Sequence, residues 1–333
     1  MTSAHLGLDL GGTNIKWVVL ESDGPLPRVA DTGQVPTDTS RGEHSVVEQL
    51  VALAGDSVHR VGRIESVGVG VPGLYNPVTG ATRFIPNVPG TWAGVEVAAQ
   101  VSAAVVAPAR LINDARAFTL AEHRLGAGRG VDSMLGITLG TGVGGGLILG
   151  GSLYMGRDGT GGEFGHQTIV ADGALCGCGN RGCLETLAKA DAIVAACGLA
   201  TVAESVEAAR AGDGRAREGL SAAGRYLGIG VCNVAVLLGV DRVVVGGGVA
   251  AAGDLLFEPM REELRRRVFI TDVAAIDIVG AELGIWAGAI GAALCAAGLG
   301  GPVFALIEQP RLGWSSSAVL APPLQCRCSR RTN

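Results

Sequence analysis

His166, Cys176, Cys178 and Cys183 stand within one short glycine-rich loop, GHQTIVADGALCGCGNRGCLE (165–185). One imidazole and three thiolates make a complete tetrahedral set for Zn2+, and Gly177, Gly179 and Gly182 let the loop fold back on the ion. Four protein ligands leave no position open to a substrate, so the metal such a set would hold is structural. Buried free thiols or a redox pair are the alternatives, although Cys-x-Cys is not the Cys-x-x-Cys spacing of thioredoxin-like sites. Glu163 and Glu185 flank the loop, which would pin both.

A second stretch with chemical potential is RLINDARAFTLAEHRL (110–125), in which a short strand gives way to a helix at Asn113-Asp114. Asp114 there is either a helix N-cap or a general base. In the second role its carboxylate takes the proton of a hydroxyl whose oxygen attacks phosphorus, while Asn113 hydrogen-bonds a neighbouring hydroxyl. A cleft lined with acids and amides suits a polyol better than an anion.

Four glycine-rich stretches follow or end apolar strands. LDLGGTN (8–14) places Asp9 before Gly11, Gly12 and Thr13: its backbone N–H groups can approach a phosphate and Asp9 can hold a hydrated Mg2+, or the turn is an ordinary hairpin. GTGVGG (140–145) and GVGVPG (68–73) both match G-x-G-x-x-G, yet neither opens a helix, as a dinucleotide fingerprint must. Neither lysine, Lys16 or Lys189, follows a glycine, which excludes a Walker A loop. VVVGGGVA (243–250) lets a base or ribose lie against the backbone, or merely allows tight strand-to-helix packing.

The elements that must carry these residues alternate in type. Strand patterns run over 6–10, 15–20, 66–71, 110–112, 134–139, 146–149 and 242–245; helical patterns over 44–56, 94–106, 114–125, 186–197, 214–238, 254–267 and 282–297. This predicts an α/β protein with a mixed sheet, because the first strands are hairpin-close. The similar turns near 10 and 140 suggest two related halves. With 333 residues, 48% hydrophobic, there is ample material for two cores. The net charge of −5 and scattered arginines form no basic stripe, which excludes a nucleic-acid partner. The uncharged stretch 283–307 is mostly alanine and glycine and reads as a buried helix, not a membrane span. With no basic leader before the first strand, the expected location is cytoplasmic. From 301 to 333 the composition shifts to prolines, serines and a basic end with Cys326 and Cys328, read as a poorly packed tail.

Taken together and in order, DLGGTNIK, GVGVPG, IND, LGTGVGGG, GGEFGH, CGCGNRGCLE and VVVGGGVA resemble the ROK family, and within it the zinc-containing, glucokinase-like sugar kinases, over about residues 5 to 298. The resemblance implies the actin-like ATPase (ribonuclease H-like) fold, with two α/β domains around a cleft: 1–112 plus about 288–300, and 113–287 carrying the zinc loop. It implies an ATP-dependent kinase acting on the 6-hydroxyl of a glucopyranose-type sugar, with Asp114 as base and ATP, catalytic Mg2+ and structural Zn2+ as cofactors. The implied sugar set is Gly73, Asn87, Asn113, Asp114, Glu163, His166 and Glu185, so that His166 would both ligate zinc and touch sugar. The implied nucleotide set is Asp9, Gly11, Gly12, Thr13, Lys16, Gly140, Thr141, Gly142, Gly247 and Gly248. A homo-oligomer, dimer or tetramer, is expected, with no membrane partner. Arg116 stands where a second asparagine is common, CLET replaces CWEQ, and LGIWAG replaces LGNDAG. These departures leave room for an amino sugar such as kanosamine or an N-acetylhexosamine as substrate, or for a non-catalytic sugar sensor.

Overall fold

The alternation in HLGLDL and IKWVVL drives the opening hairpin: Leu6, Leu8, Leu10 and Ile15 are fully buried while Asp9 and Lys16 share the other face. In the computed structural model, which describes residues 3–22 and 26–298, β1 (Ser3–Leu10) pairs antiparallel with β2 (Asn14–Ser22), and β2 with β3 (Arg28–Pro36). After α1 (Glu43–Val61) comes β4 (Ser66–Val71), parallel to β1. A two-stranded ribbon of β5 (Leu74–Tyr75) and β6 (Thr82–Phe84) and the helix α2 (Val97–Val105) precede β7 (Ala109–Asn113), parallel to β4. The sheet order is β3-β2-β1-β4-β7.

The chain then repeats the plan. After α3 (Asp114–Leu125), an antiparallel set of β8 (Met134–Leu139), β9 (Val143–Leu149) and β10 (Ser152–Leu153) precedes the zinc-type loop. Helices α4 (Glu185–Ala188), α5 (Ala190–Cys197), α6 (Val202–Ala211) and α7 (Gly214–Leu238) follow, then β11 (Arg242–Gly246), α8 (Asp254–Arg267), β12 (Asp277–Gly280) and α9 (Ala287–Ala296). The second sheet reads β10-β9-β8-β11-β12, the same pattern of one meander and two parallel additions. The two halves are related in topology, in keeping with their paired glycine turns.

Several elements differ from the sequence reading for physical reasons. Strand β3 has no buried face and is held by its pairing to β2, so hydrophobic periodicity gives no sign of it. Residues 186–197 form two helices, because Lys189 is extended and the Ala190 N–H donates to the Gly140 carbonyl at 2.8 Å. Helix α6 lies outside the expected helical patterns, although Thr201 and Glu204 form a capping box at its start. The 301–333 tail, with Cys326 and Cys328, lies outside the described residues. Helix α7 is long and apolar enough to cross a membrane, but it packs along α8, with Gly224 and Gly228 against the backbones of Leu256 and Met260.

Each sheet has its own core, and a third apolar cluster joins them through α3 and α9. That junction is built on bare backbone. A Cβ on Gly7 or Gly68 would stand 1.8 Å from the carbonyl oxygens of Ala289 or Ala292, so α9 lies flush on the first sheet. A Cβ on Gly291 would stand 1.7 Å from the Ala117 carbonyl of α3. Gly291→Ala should therefore destabilise the protein by about 1–3 kcal/mol or more, as overpacking against unyielding backbone does. A urea titration should show a lower midpoint with an unchanged slope; an unchanged midpoint would remove this contact from the framework.

Candidate active site and metal centre

Nearly every loop with candidate chemistry follows the carboxyl end of a parallel strand: 10–14 after β1, 72–73 after β4, Asn113-Asp114 at β7, 140–142 after β8 and 247–248 after β11. Open parallel sheets place ligand sites there, because glycine turns and helix N-termini expose backbone N–H groups along that edge.

Asn113, not Asp114, caps α3: its side-chain oxygen accepts the N–H groups of Ala115 and Arg116. Asp114 is thereby released from the capping role and occupies the first helical position, with Oδ1 accepting the Ala115 N–H at 2.8 Å. Burial, and then the nearby Asp9 carboxylate, push Asp114 up to about 7, with Glu163 adding to the rise and Arg116 opposing it. A carboxyl poised there exchanges a proton near neutral pH, as a general base must. Asp9 is raised too, chiefly by burial, although Lys16 Nζ lies 3.4 Å from its Oδ2 on the facing residue of β2.

The remaining sugar-set residues gather in part around Asn113. Its Nδ2 donates to the Gly73 carbonyl at 3.3 Å, and Gly73 has a φ of 105° that only glycine adopts easily. Asn87 has a φ of 62°, and its carbonyl packs so closely on Gly12 that a Cβ there would lie 2.7 Å away. Glu163 precedes the 3₁₀ turn Phe164–His166 and its Oε1 accepts from Arg116. Glu185 is held between β9 and the cysteine loop: Oε2 accepts the Val143 N–H at 3.0 Å, and Oε1 lies 3.7 Å from the Cys176 sulfur.

The nucleotide-set turns are built alike. Gly11 N–H donates to Asn14 O at 3.0 Å, and Gly140 N–H to Gly142 O at 3.0 Å, leaving Thr13 and Thr141 exposed at the tips. Thr37 steadies the first turn through its hydroxyl on the Gly11 carbonyl at 2.7 Å and its N–H on the Thr13 carbonyl at 2.9 Å. Gly140, Thr141 and Gly248 open onto a cavity of about 380 Å³ whose far wall is Val202, Ala203 and Val206 of α6. Gly247 backs it, pressed so tightly on the Leu139 carbonyl that a Cβ would stand 2.2 Å away. Sequence reasoning misses the α6 wall along with its helix; the Thr201–Glu204 capping box is the signal that could have found it.

His166, Cys176, Cys178 and Cys183 converge, their ligand atoms all within 4.8 Å of one another. Cys178 and Cys183 sulfurs are 3.7 Å apart, and Cys176 Sγ is 3.7 Å from His166 Nδ1. Thiolates held at about 2.3 Å by one tetrahedral ion would stand about 3.8 Å apart, so the set fits zinc. Asn180 Nδ2 donates to the Cys183 sulfur at 3.4 Å, a polar support typical of such sites. Bound to a metal through the Nδ1 that faces the thiols, His166 would carry its proton on Nε2, a donor on the opposite side of the ring.

Comparisons with known proteins follow the same outline. The profile of the ROK family matches residues 5–298. A glucokinase of Streptomyces coelicolor is 34% identical over 312 residues, covering 86% of this chain and 96% of that protein. A kanosamine kinase of Amycolatopsis mediterranei is 33% identical over 261 residues, covering 75% of this chain and 82% of its own. The structure of a ROK family glucokinase from Streptomyces griseus in complex with glucose and AMPPNP superposes with a TM-score of 0.76 at 32% identity, covering 89% of this chain and 99% of that one. The repeated sheets are thus those of the actin-like ATPase fold. Matched from the first strand to the last described helix, with two topologically equal halves and a convergent set of one histidine and three cysteines, the chain belongs to the ROK family.

Proposed function

We propose that the protein is an ATP-dependent kinase that phosphorylates the 6-hydroxyl of a glucopyranose-type sugar. The observation that carries this is Asp114, released from capping by Asn113 and raised to about 7 at the carboxyl edge of β7, in a chain similar over 86% of its length to a glucokinase. Asp114 takes the hydroxyl proton as that oxygen attacks the terminal phosphorus, and the oxygen bridging to the departing nucleoside diphosphate leaves in line. Asn113, Asn87, Gly73, Glu163, Glu185 and the Nε2 side of His166 form the sugar-binding set. Gly11 to Thr13 and Gly140 to Gly142 receive the phosphates on backbone N–H groups and hydroxyls, with Lys16, Gly247 and Gly248 beside them. Asp9, an oxygen donor whose one ion pair among the described residues is a long one to Lys16, suits a Mg2+ that arrives with ATP and neutralises phosphate charge. The cavity against α6 takes the nucleoside.

The lobes of this reading divide at 112/113, with 113–287 as the larger and α9 returning to the first sheet. A cytoplasmic location belongs to this reading, because ATP is the proposed phosphoryl donor. Self-association as a dimer or tetramer is supported by exposed Leu237, Phe269 and Ile270 near the carboxyl ends of α7 and α8.

A coupled ADP-release assay over glucose, mannose, glucosamine, 3-amino-3-deoxyglucose and N-acetylglucosamine tests the activity and selects the sugar. Turnover on at least one is expected. Binding by calorimetry with turnover on none would make the protein a sugar sensor. Ala203→Trp, which fills the nucleoside cavity from an exposed helix position, should raise the KM for ATP about tenfold or more and leave the KM for sugar unchanged; equal effects on both would place the nucleoside elsewhere.

A further inference from the structure

Arg116 is the largest of the fully buried side chains, only 1% exposed. It lies two residues after Asp114 on α3. Its Nε donates to the Gly161 carbonyl at 2.8 Å, and one terminal nitrogen donates to Glu163 Oε1 at 2.9 Å. The planar guanidinium is thus locked at two points, and it holds both the backbone that leads into Glu163 and the carboxylate itself. Glu163 keeps 40% of its side chain exposed, with Oε2 carrying no hydrogen bond among the described residues. Arg116 also acts on Asp114 and Tyr75, favouring the charged form of each.

A lone carboxylate attracts an ammonium group as readily as it accepts a hydroxyl proton. One that is already paired with a fixed, buried cation is locally neutral. It still accepts one hydrogen bond on its free oxygen, while a second cation approaching that oxygen meets a guanidinium that water cannot screen well. Resting on the reading of Glu163 as a sugar ligand, we propose that Arg116 is a specificity-determining residue: by occupying one oxygen of Glu163 with a buried positive charge, it makes the site select a neutral hydroxyl and reject an ammonium on the sugar carbon that Glu163 contacts. The substrate class is then a neutral hexose, with amino sugars disfavoured at that one carbon.

The test pairs each amino sugar with the deoxy sugar lacking the same hydroxyl, 2-amino with 2-deoxyglucose and 3-amino with 3-deoxyglucose, so that added charge is separated from a lost hydrogen bond. Binding is measured by calorimetry at a pH where the amines are protonated. At one of the two carbons the unmodified protein should bind the deoxy sugar at least as tightly as the amino sugar. Arg116→Gln should shift that ratio toward the amino sugar by about tenfold to a hundredfold, the range expected for removing one charge several ångströms away in a partly buried site. Arg116→Lys, which keeps the charge, should preserve the preference. Glu163→Gln, in protein shown by circular dichroism to be folded, should widen it, because the buried guanidinium is then uncompensated. An unchanged ratio in folded Arg116→Gln, or no widening in Glu163→Gln, would overturn the proposal while leaving the kinase reading intact. Failure of every sugar to bind the unmodified protein would overturn that reading, and this proposal with it.

Discussion

Asp114→Asn should lower kcat by about 10²- to 10⁴-fold and leave the affinity for sugar within a few-fold of its starting value. Asparagine has the shape of aspartate and keeps an acceptor for the Ala115 N–H, so the start of α3 and its Asn113 cap survive. What it cannot do is accept the proton that leaves the attacking hydroxyl. The loss therefore falls on the chemical step, which single-turnover measurements separate from binding. The pH profile carries a second signature. Because burial and the neighbouring carboxylates raise Asp114 to about 7, kcat/KM should climb about tenfold per unit below pH 7 and level off above it, and this limb should vanish in the variant. The same raised value bears on stability with a definite sign. A carboxyl whose pKa is higher folded than unfolded costs the fold once both states are ionised, and that cost fades as pH falls from about 7 through 3.8. Asp114→Asn should thus raise Tm above pH 7 and leave it unchanged below pH 3.8. A variant retaining more than about a tenth of the rate would remove Asp114 as the base.

Cys178→Ser should have the second large effect, on the metal and on everything it holds. Purified without chelator, the protein should carry one equivalent of zinc, and the variant much less. Structural zinc supplies about 10–16 kcal/mol of apparent binding free energy in isolated finger peptides, so its loss from a loop with so little core of its own should lower Tm by several degrees or more. The loop also positions residues of the proposed sugar set: His166 is itself in the cluster and Glu185 lies against Cys176. Sugar affinity should fall with stability, and added Mg2+ should not restore it, since a hard cation does not replace zinc at thiolates. Zinc-free protein that binds sugar normally would reduce the loop to a glycine-rich turn with buried thiols.

The site is legible in the sequence where chemistry is written into short spacings. The loop of one histidine and three cysteines, the Asn113-Asp114 junction and the glycine turns can be read because each needs particular residue types at fixed separations. Nothing local announces the Arg116–Glu163 pair, which joins residues 47 positions apart, or that α6 walls the cavity beside Gly140 and Thr141. The role of Asp114 cannot be fixed from type alone, since aspartate before a helix is usually its cap. The geometry of Asn113 is what removes the capping role from Asp114. In the fold, buried strands such as β4 and β8 declare themselves by unbroken apolar runs. Strand β3 does not, because an edge strand with no buried face owes its conformation to a neighbour's backbone and not to its own side chains.

The crossing of α3 and α9 has a mechanical consequence. Around the crossing the helices pack through side chains such as Phe118 and Ile290, which share one apolar cluster; at Gly291 itself α9 meets the bare backbone of Ala117. That contact acts as a stop: the two helices cannot be pressed closer there. It also leaves evolution one direction only. Glycine is already the smallest residue, so every replacement at 291 thickens the stop, and the spacing of the two helices can be adjusted only at positions that surround it.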